Sequence, residues 1–266
     1  MSAHTHDPAT DTAAAGPDPE PLRIERSPKR VRALVDGQPV FDTRSAMLVW
    51  EKPYYPTYYV PRADVLGELV ERSDDHGRVA HPHLGAPEVL DVVIGGHTRR
   101  RAALTFPAST DVRVADLVRP KWAAMDEWLE EDEPVYVHPR DPYKRIDVLA
   151  SSRHVRIVVD GTVVAESRQP RILFETGLPP RYYLPVSDVR MELLRASDSV
   201  SHCPYKGTAS WWMLEVDGGR HADLAWMYRS PTAESQKIAG LLAFYDERVD
   251  LHLDGELQER PETPFA

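Results

Sequence analysis

Residues 31–65 of this chain align without a gap on residues 155–189. The positions Val31/Val155, Arg32/Arg156, Val35/Val159, Asp36/Asp160, Gly37/Gly161, Val40/Val164, Arg44/Arg168, Glu51/Glu175, Pro56/Pro180, Tyr58/Tyr182, Tyr59/Tyr183, Pro61/Pro185, Asp64/Asp188 and Val65/Val189 agree. An internal repeat of that density means two related domains in tandem rather than one large one. The chain length of 266 residues fits, since it holds two domains of roughly 100–150 residues, each with its own core.

The local pattern is strand and turn. Asp36-Gly37 and Asp160-Gly161 sit between short β-branched runs, the composition of a two-residue hairpin turn that needs positive φ. A third strand is expected over residues 47–50 and 171–174, followed by a proline-rich corner and a Tyr-Tyr strand closed by Pro61 or Pro185. Pro82 and Gly85 then align with Pro204 and Gly207, Gly95-Gly96 falls opposite Asp217-Gly218 as another hairpin turn, and the strand reaching Phe106 corresponds to the one reaching Tyr228. Each copy next carries a segment of helical spacing. In the first it spans residues 121–131, with Trp122, Met125, Trp128 and Leu129 on one face; in the second it follows Ser230-Pro231 and includes Ile238, Leu241 and Leu242. Short strands over 135–137 and 249–253 end the copies. The reading is mostly β: two tandem small β domains, sandwich or barrel-like, each with one supporting helix.

The expected organisation is a disordered tail over residues 1–25, a first repeat over 28–137, a connector over 138–152 stiffened by Pro139 and Pro142, a second repeat over 153–255 and a C-terminal tail over 256–266. The tail reading rests on a run of Ala, Thr, Asp, Pro and Gly that cannot bury enough apolar surface to offset its ordering entropy. A formal charge of -10 argues against nucleic acid as a partner, and Arg99-Arg100-Arg101 reads as a solvated strand edge. With Cys203 as the one cysteine, neither an intrachain disulfide nor a cysteine-built zinc site can form. No apolar run spans a bilayer and no leader pattern opens the chain, so a cytoplasmic location without membrane contact is expected.

The run Ser201-His202-Cys203-Pro204-Tyr205-Lys206-Gly207 gathers a thiol, an imidazole, a phenol and an ammonium on one stiffened loop. Two readings follow. Either neighbouring positive charge activates Cys203, with His202 as base and Lys206 or Arg168 anchoring an anion, or Cys203 is a small buried hydrophobe in an architectural turn. In the first copy the loop reads Ala80-His81-Pro82-His83-Leu84-Gly85, so Pro and Gly remain while the thiol, Tyr and Lys are gone. His76, His81, His83, Asp74 and Asp75 match no metal-ligand spacing, and with no Walker loop, dinucleotide fingerprint or nucleophile elbow, no metal or other cofactor is expected. The recurring Arg44/Arg168, Glu51/Glu175 and Asp64/Asp188 read either as structural ion pairs and caps or as polar clusters at each domain mouth. Of Tyr182-Tyr183 and Trp211-Trp212, one member of each pair is expected in the core, because successive strand residues face opposite ways.

The second copy resembles the bacterial domain of unknown function numbered 427, which also carries a nucleotidyltransferase-like label. The resemblance rests on the His-Cys-Pro-Tyr-Lys-Gly loop, the strand Arg181-Tyr182-Tyr183 and the run Ala243-Phe244-Tyr245; the first copy is similar through Val65 and then departs. It implies a complex β-sheet domain of the β-tent or Mss4-like kind. The label finds no support in the residues, since no Gly-Ser pair followed by paired Asp residues is present to hold magnesium. The leading expectation is a module for a small-molecule ligand or an interaction, with a polar, aromatic pocket in the second repeat. Its residues are Arg168, Glu175, Tyr182, Asp188, His202, Cys203, Tyr205, Lys206 and Trp226. The alternatives are a thiol-dependent enzyme using Cys203, His202 and Lys206, and a structural or oligomerisation module joined through Trp122 and Trp128.

Overall fold

The computed structural model describes residues 22–52, 54–72, 80–109 and 111–263. The expected tail up to residue 21, and Asp74, Asp75 and His76, lie outside the described residues. The first repeat contains β1 (Ile24–Arg26), β2 (Val31–Val35), β3 (Gln38–Thr43), β4 (Met47–Lys52), β5 (Tyr55–Pro61), β6 (Glu68–Glu71), β7 (Glu88–Ile94), β8 (His97–Thr105), β9 (Leu117–Pro120), β10 (Glu127–Glu130) and β11 (Glu133–Pro134). The second contains β12 (Ile146–Ala150), β13 (Val155–Val159), β14 (Thr162–Ser167), β15 (Arg171–Glu175), β16 (Arg181–Tyr183), β17 (Leu194–Cys203), β18 (Gly207–Val216), β19 (Gly219–Tyr228), β20 (Leu242–Phe244), β21 (Asp250–Leu253) and β22 (Glu256–Leu257).

The two copies have one topology. The sheet β11-β10-β2-β3 repeats as β22-β21-β13-β14, β1-β4-β5 repeats as β12-β15-β16, and the meander β6 to β9 repeats as β17 to β20. Pairing of β5 with β9 fuses two of these sets into a seven-stranded sheet in the first copy; in the second the same junction is the single bridge Leu184↔Leu242. The opening hairpins turn as their sequence requires, with φ of 48° and 76° at Asp36-Gly37 and 48° and 78° at Asp160-Gly161. Even the irregularities recur, since β2 and β13 both shift register before the turn, at Ala33/Leu34 and Ile157/Val158.

The protein is mostly β, two tandem β domains, and the helical segment of each copy is present but shorter than its spacing predicts. Trp122–Ala124 is one 3-10 turn, after which Trp128 pairs opposite Ala33 as part of β10. The apolar spacing that mimics a helix comes from Trp122 stacking on Trp128 across that turn, with ring centres 4.3 Å apart. In the second copy Ala233–Ile238 is a 3-10 turn whose exit is marked by Gly240 at φ 70°, and Leu242 enters β20. So short a segment lacks the length to support an α-helical nucleus, while the open edge of β19 offers ladder bonds. The end strand expected over 135–137 is displaced to β10 and β11. Three boundaries move too: β1 draws residues 24–25 out of the tail, β12 takes the end of the connector, and β22 pairs with β21 inside the expected C-terminal tail.

Side chains alternate into two layers per repeat. Tyr58 and Tyr182 enter the main cores, with Phe41 and Trp128 or with Trp212 and Phe244, whereas Tyr59 and Tyr183 enter smaller clusters on the opposite face of their sheets. The repeats meet through the connector. The Asp141 carboxylate accepts the Trp50 indole N–H of the first repeat at 2.9 Å, and the Asp141 amide donates to the Tyr205 hydroxyl of the second at 2.7 Å. Arg23 lies over the rings of Trp50 and Tyr143, closing the same junction. Among the described residues no helix is long and apolar enough to cross a membrane.

Candidate functional site

The smaller cluster of the second repeat surrounds a cavity of about 470 Å³. Its loop, Cys203 to Gly207, reverses the chain between β17 and β18, with Cys203 paired opposite Gly207. Gly207 holds φ 97°, a backbone conformation that residues with a side chain rarely adopt, and this conformation is what calls for glycine here. The 3-10 turn clamps this loop: the Thr232 hydroxyl and, at 3.2 Å, the Ser235 hydroxyl donate to the Tyr205 carbonyl. The peptide unit that leads into Lys206 is therefore fixed by two hydroxyls on its carbonyl.

Lys206 uses that rigidity. Its ammonium meets the Glu175 carboxylate at 2.5 Å, with side chains only 15% and 8% exposed. Burial favours the neutral amine, but the nearby Cys203 sulfur and the Glu175 carboxylate outweigh it, and the Lys206 pKa is held above the ordinary lysine value. Burial also pushes the Tyr183 phenol up to about 12 and Tyr228 well above the usual tyrosine range, so both remain hydroxyl donors at neutral pH.

The walls are aromatic. Trp211, Trp226 and Tyr245 meet with ring centres 5.0 to 5.5 Å apart, and the Trp226 indole N–H donates to the Tyr183 hydroxyl at 3.3 Å. Arg181 extends this wall, its guanidinium 5.7 Å from the Trp226 ring centre and paired with Glu247 and with Asp246 at 3.3 Å. Burial raises the Asp246 pKa to about 7, against the opposing pull of Arg181.

Of the residues named from sequence, Glu175, His202, Cys203, Tyr205, Lys206 and Trp226 line the cavity. Tyr182 does not; it belongs to the main core, and its neighbour Tyr183 takes the cavity side because the strand alternates. Asp188 is elsewhere as well, accepting the Ser167 hydroxyl at 2.6 Å, a contact matched by Thr43 and Asp64 in the first copy. Arg168 is exposed and outside the lining. His202 does not serve Cys203: its Nδ1 is 3.0 Å from the Thr208 hydroxyl, its ring stacks on Tyr136, and among the described residues no hydrogen bond joins it to the thiol. Among the described residues no cluster of three or more potential metal ligands forms.

The sequence left open which of Trp211 and Trp212 faces away from the core, and Trp211 is the one on the cavity; it missed Arg181 and Tyr245 as cavity residues. It also missed the contribution from outside the second repeat. Tyr54 and Tyr55 of the first repeat and His138 of the connector line the cavity, with Tyr55 stacked on His138 at 4.2 Å. Burial lowers the His138 pKa, and its Nδ1 contact with the Pro139 carbonyl at 2.7 Å places the proton of the neutral ring there, leaving Nε2 as an acceptor. His138→Ala is expected to raise the rate of Cys203 modification by fluorescein maleimide several-fold more than the rate with iodoacetamide. Comparing a bulky with a small reagent cancels the intrinsic reactivity of the thiol, and an unchanged ratio would mean that the stack does not guard the cavity.

A family model described as domain of unknown function (DUF427) matches residues 23–131 and 147–255. The chain belongs to the DUF427 family. The two matched segments begin at β1 and β12, so each DUF427 repeat includes the edge strand that precedes its opening hairpin. No curated relative matches the chain.

Proposed function

We propose that the second DUF427 repeat binds a small molecule with a flat aromatic body and a polar group addressed to Lys206 and Glu175. The observation that carries this reading is the buried Lys206–Glu175 pair set among the aromatic walls of the cavity. A desolvated ion pair is often no more stabilising than apolar side chains of the same volume, so stability alone is a poor reason for it. A cavity of about 470 Å³ is in the range of ligand sites, and its aromatic walls offer ring surface on which a flat ligand can stack. The net charge of -10 supports a small molecule over nucleic acid or an anionic membrane as the partner. The single thiol fits a reducing compartment such as the cytoplasm.

The test is a thermal-shift screen of the full chain with flat heteroaromatic acids and amides. A binder present at about 100 times its Kd stabilises by roughly 2.7 kcal/mol. Trp226→Leu is expected to remove the shift while Cys203→Ala keeps it; a shift unchanged in Trp226→Leu would sink the assignment. A thiol-dependent reaction is the second reading, favoured by Cys203 sharing the cavity with the Lys206 ammonium. It requires turnover that Cys203→Ala abolishes, with Lys206 rather than His202 as the charged neighbour.

A further inference from the structure

The first repeat keeps a cavity of its own, of about 450 Å³, lined by Glu51, His81, Pro82, Leu104, Phe106 and Arg119 among others. It occupies the same place in the fold, since strand register sets Leu104 where the second repeat has Trp226 and Phe106 follows where it has Tyr228. Its chemistry differs. Leu84 stands in the position of Lys206 and is fully buried, which would leave Glu51 without a cation.

The cation comes from another strand. Arg119 on β9 lies opposite Leu104, as Ala243 on β20 lies opposite Trp226, and the Arg119 Nε donates to Glu51 Oε1 at 2.5 Å. The Tyr59 hydroxyl donates to the same oxygen at 3.1 Å, and burial beside Glu51 raises its pKa, so the phenol stays a donor. Glu51 is thus fixed by Tyr59 and in turn holds Arg119 by Nε. Among the described residues the Arg119 guanidinium is held by Glu51 and by the Tyr59 hydroxyl, and no backbone carbonyl accepts from its terminal amino groups. A guanidinium anchored at Nε retains a planar pair of N–H donors, the geometry that takes both oxygens of a carboxylate. Leu104 and Phe106 supply apolar surface beside it, and Leu104 stands in place of the second repeat's Trp226.

We propose that the first repeat holds a separate binding site for a small organic carboxylate, taken by the terminal amino groups of Arg119 with the ligand's apolar part against Leu104 and Phe106. On the reading proposed above, the second repeat addresses its ligand with a point-charge ammonium and a tryptophan-rich wall; the first does so with a fork and a wall of Leu104 and Phe106. The tandem therefore carries two sites of different specificity.

Cyclohexanecarboxylate, whose ring is not flat, is the probe, titrated into the full chain by isothermal calorimetry, with cyclohexanecarboxamide as the neutral analogue. Saturable binding of the carboxylate is expected, with the amide at least about tenfold weaker, the loss of about 1.4 kcal/mol that one charge-assisted contact supplies. Arg119→Lys keeps a cation for Glu51 but removes the fork, and it is expected to weaken the carboxylate by a similar factor. Leu104→Trp leaves Arg119 and Glu51 in place and fills the cavity, so it is expected to abolish binding without unfolding the repeat. Equal affinity for the amide, retention of binding in Leu104→Trp, or no saturable binding to the native chain would each overturn the proposal.

Discussion

Lys206→Met is expected to destabilise the protein by about 3–5 kcal/mol, because it leaves an uncompensated carboxylate in the interior. Glu175 is 8% exposed and its partner is the ammonium at 2.5 Å, so removing the cation strands the anion where water reaches it poorly. For a chain of this size a loss of that order lowers Tm by roughly 10 °C. The double variant Lys206→Met/Glu175→Leu removes both charges and is expected to recover most of the loss. Scanning calorimetry of the two single variants and the double variant closes the cycle. If the double variant is as unstable as the sum of the singles, the two side chains are not coupled and the buried pair is not what holds the loop.

Asp246→Asn is expected to act in the opposite direction at neutral and alkaline pH. The Asp246 carboxyl is 5% exposed, and burial raises its folded pKa from 3.8 to about 7. Between those values the folded protein holds a proton that the unfolded chain has released. This group's contribution therefore makes stability fall as pH rises through that window, reaching a penalty of roughly 4 kcal/mol above pH 7. Asparagine cannot ionise, and Glu247 still engages Arg181 from the adjacent position. Denaturant melts of the native chain and Asp246→Asn from pH 4 to 8 are expected to diverge with increasing pH, the variant becoming the more stable. Parallel curves would mean that Arg181 already holds Asp246 ionised in the folded state.

Local chemistry made much of the fold legible. The Asp-Gly turns announced the opening hairpins because few residue pairs accept positive φ twice in succession, and both pairs adopt it. Strand alternation separated Trp211 from Trp212, and the structure sends Trp212 to the main core and Trp211 to the cavity. Trp122, Met125, Trp128 and Leu129 show where such reasoning fails. Their spacing fits one helical face, yet a tight turn followed by a strand brings Trp122 over Trp128 just as well, and the open edge of β2 decides between the two. Asp188 and Arg168 failed differently. Their recurrence in both copies records the needs of the shared fold, and for Asp188 that need is the hydroxyl of Ser167.

By itself the sequence determined the tandem, the hairpins and the loop that gathers Cys203, Tyr205 and Lys206, because each follows from residues close together in the chain. Tertiary structure alone decided that Glu175 meets Lys206, that Arg119 replaces the missing lysine of the first repeat from another strand, and that Tyr55 and His138 cover a cavity belonging to the other copy. The physical reason is that burying a charge demands a partner somewhere within contact distance, and the chain position of that partner is set by strand pairing rather than by local pattern.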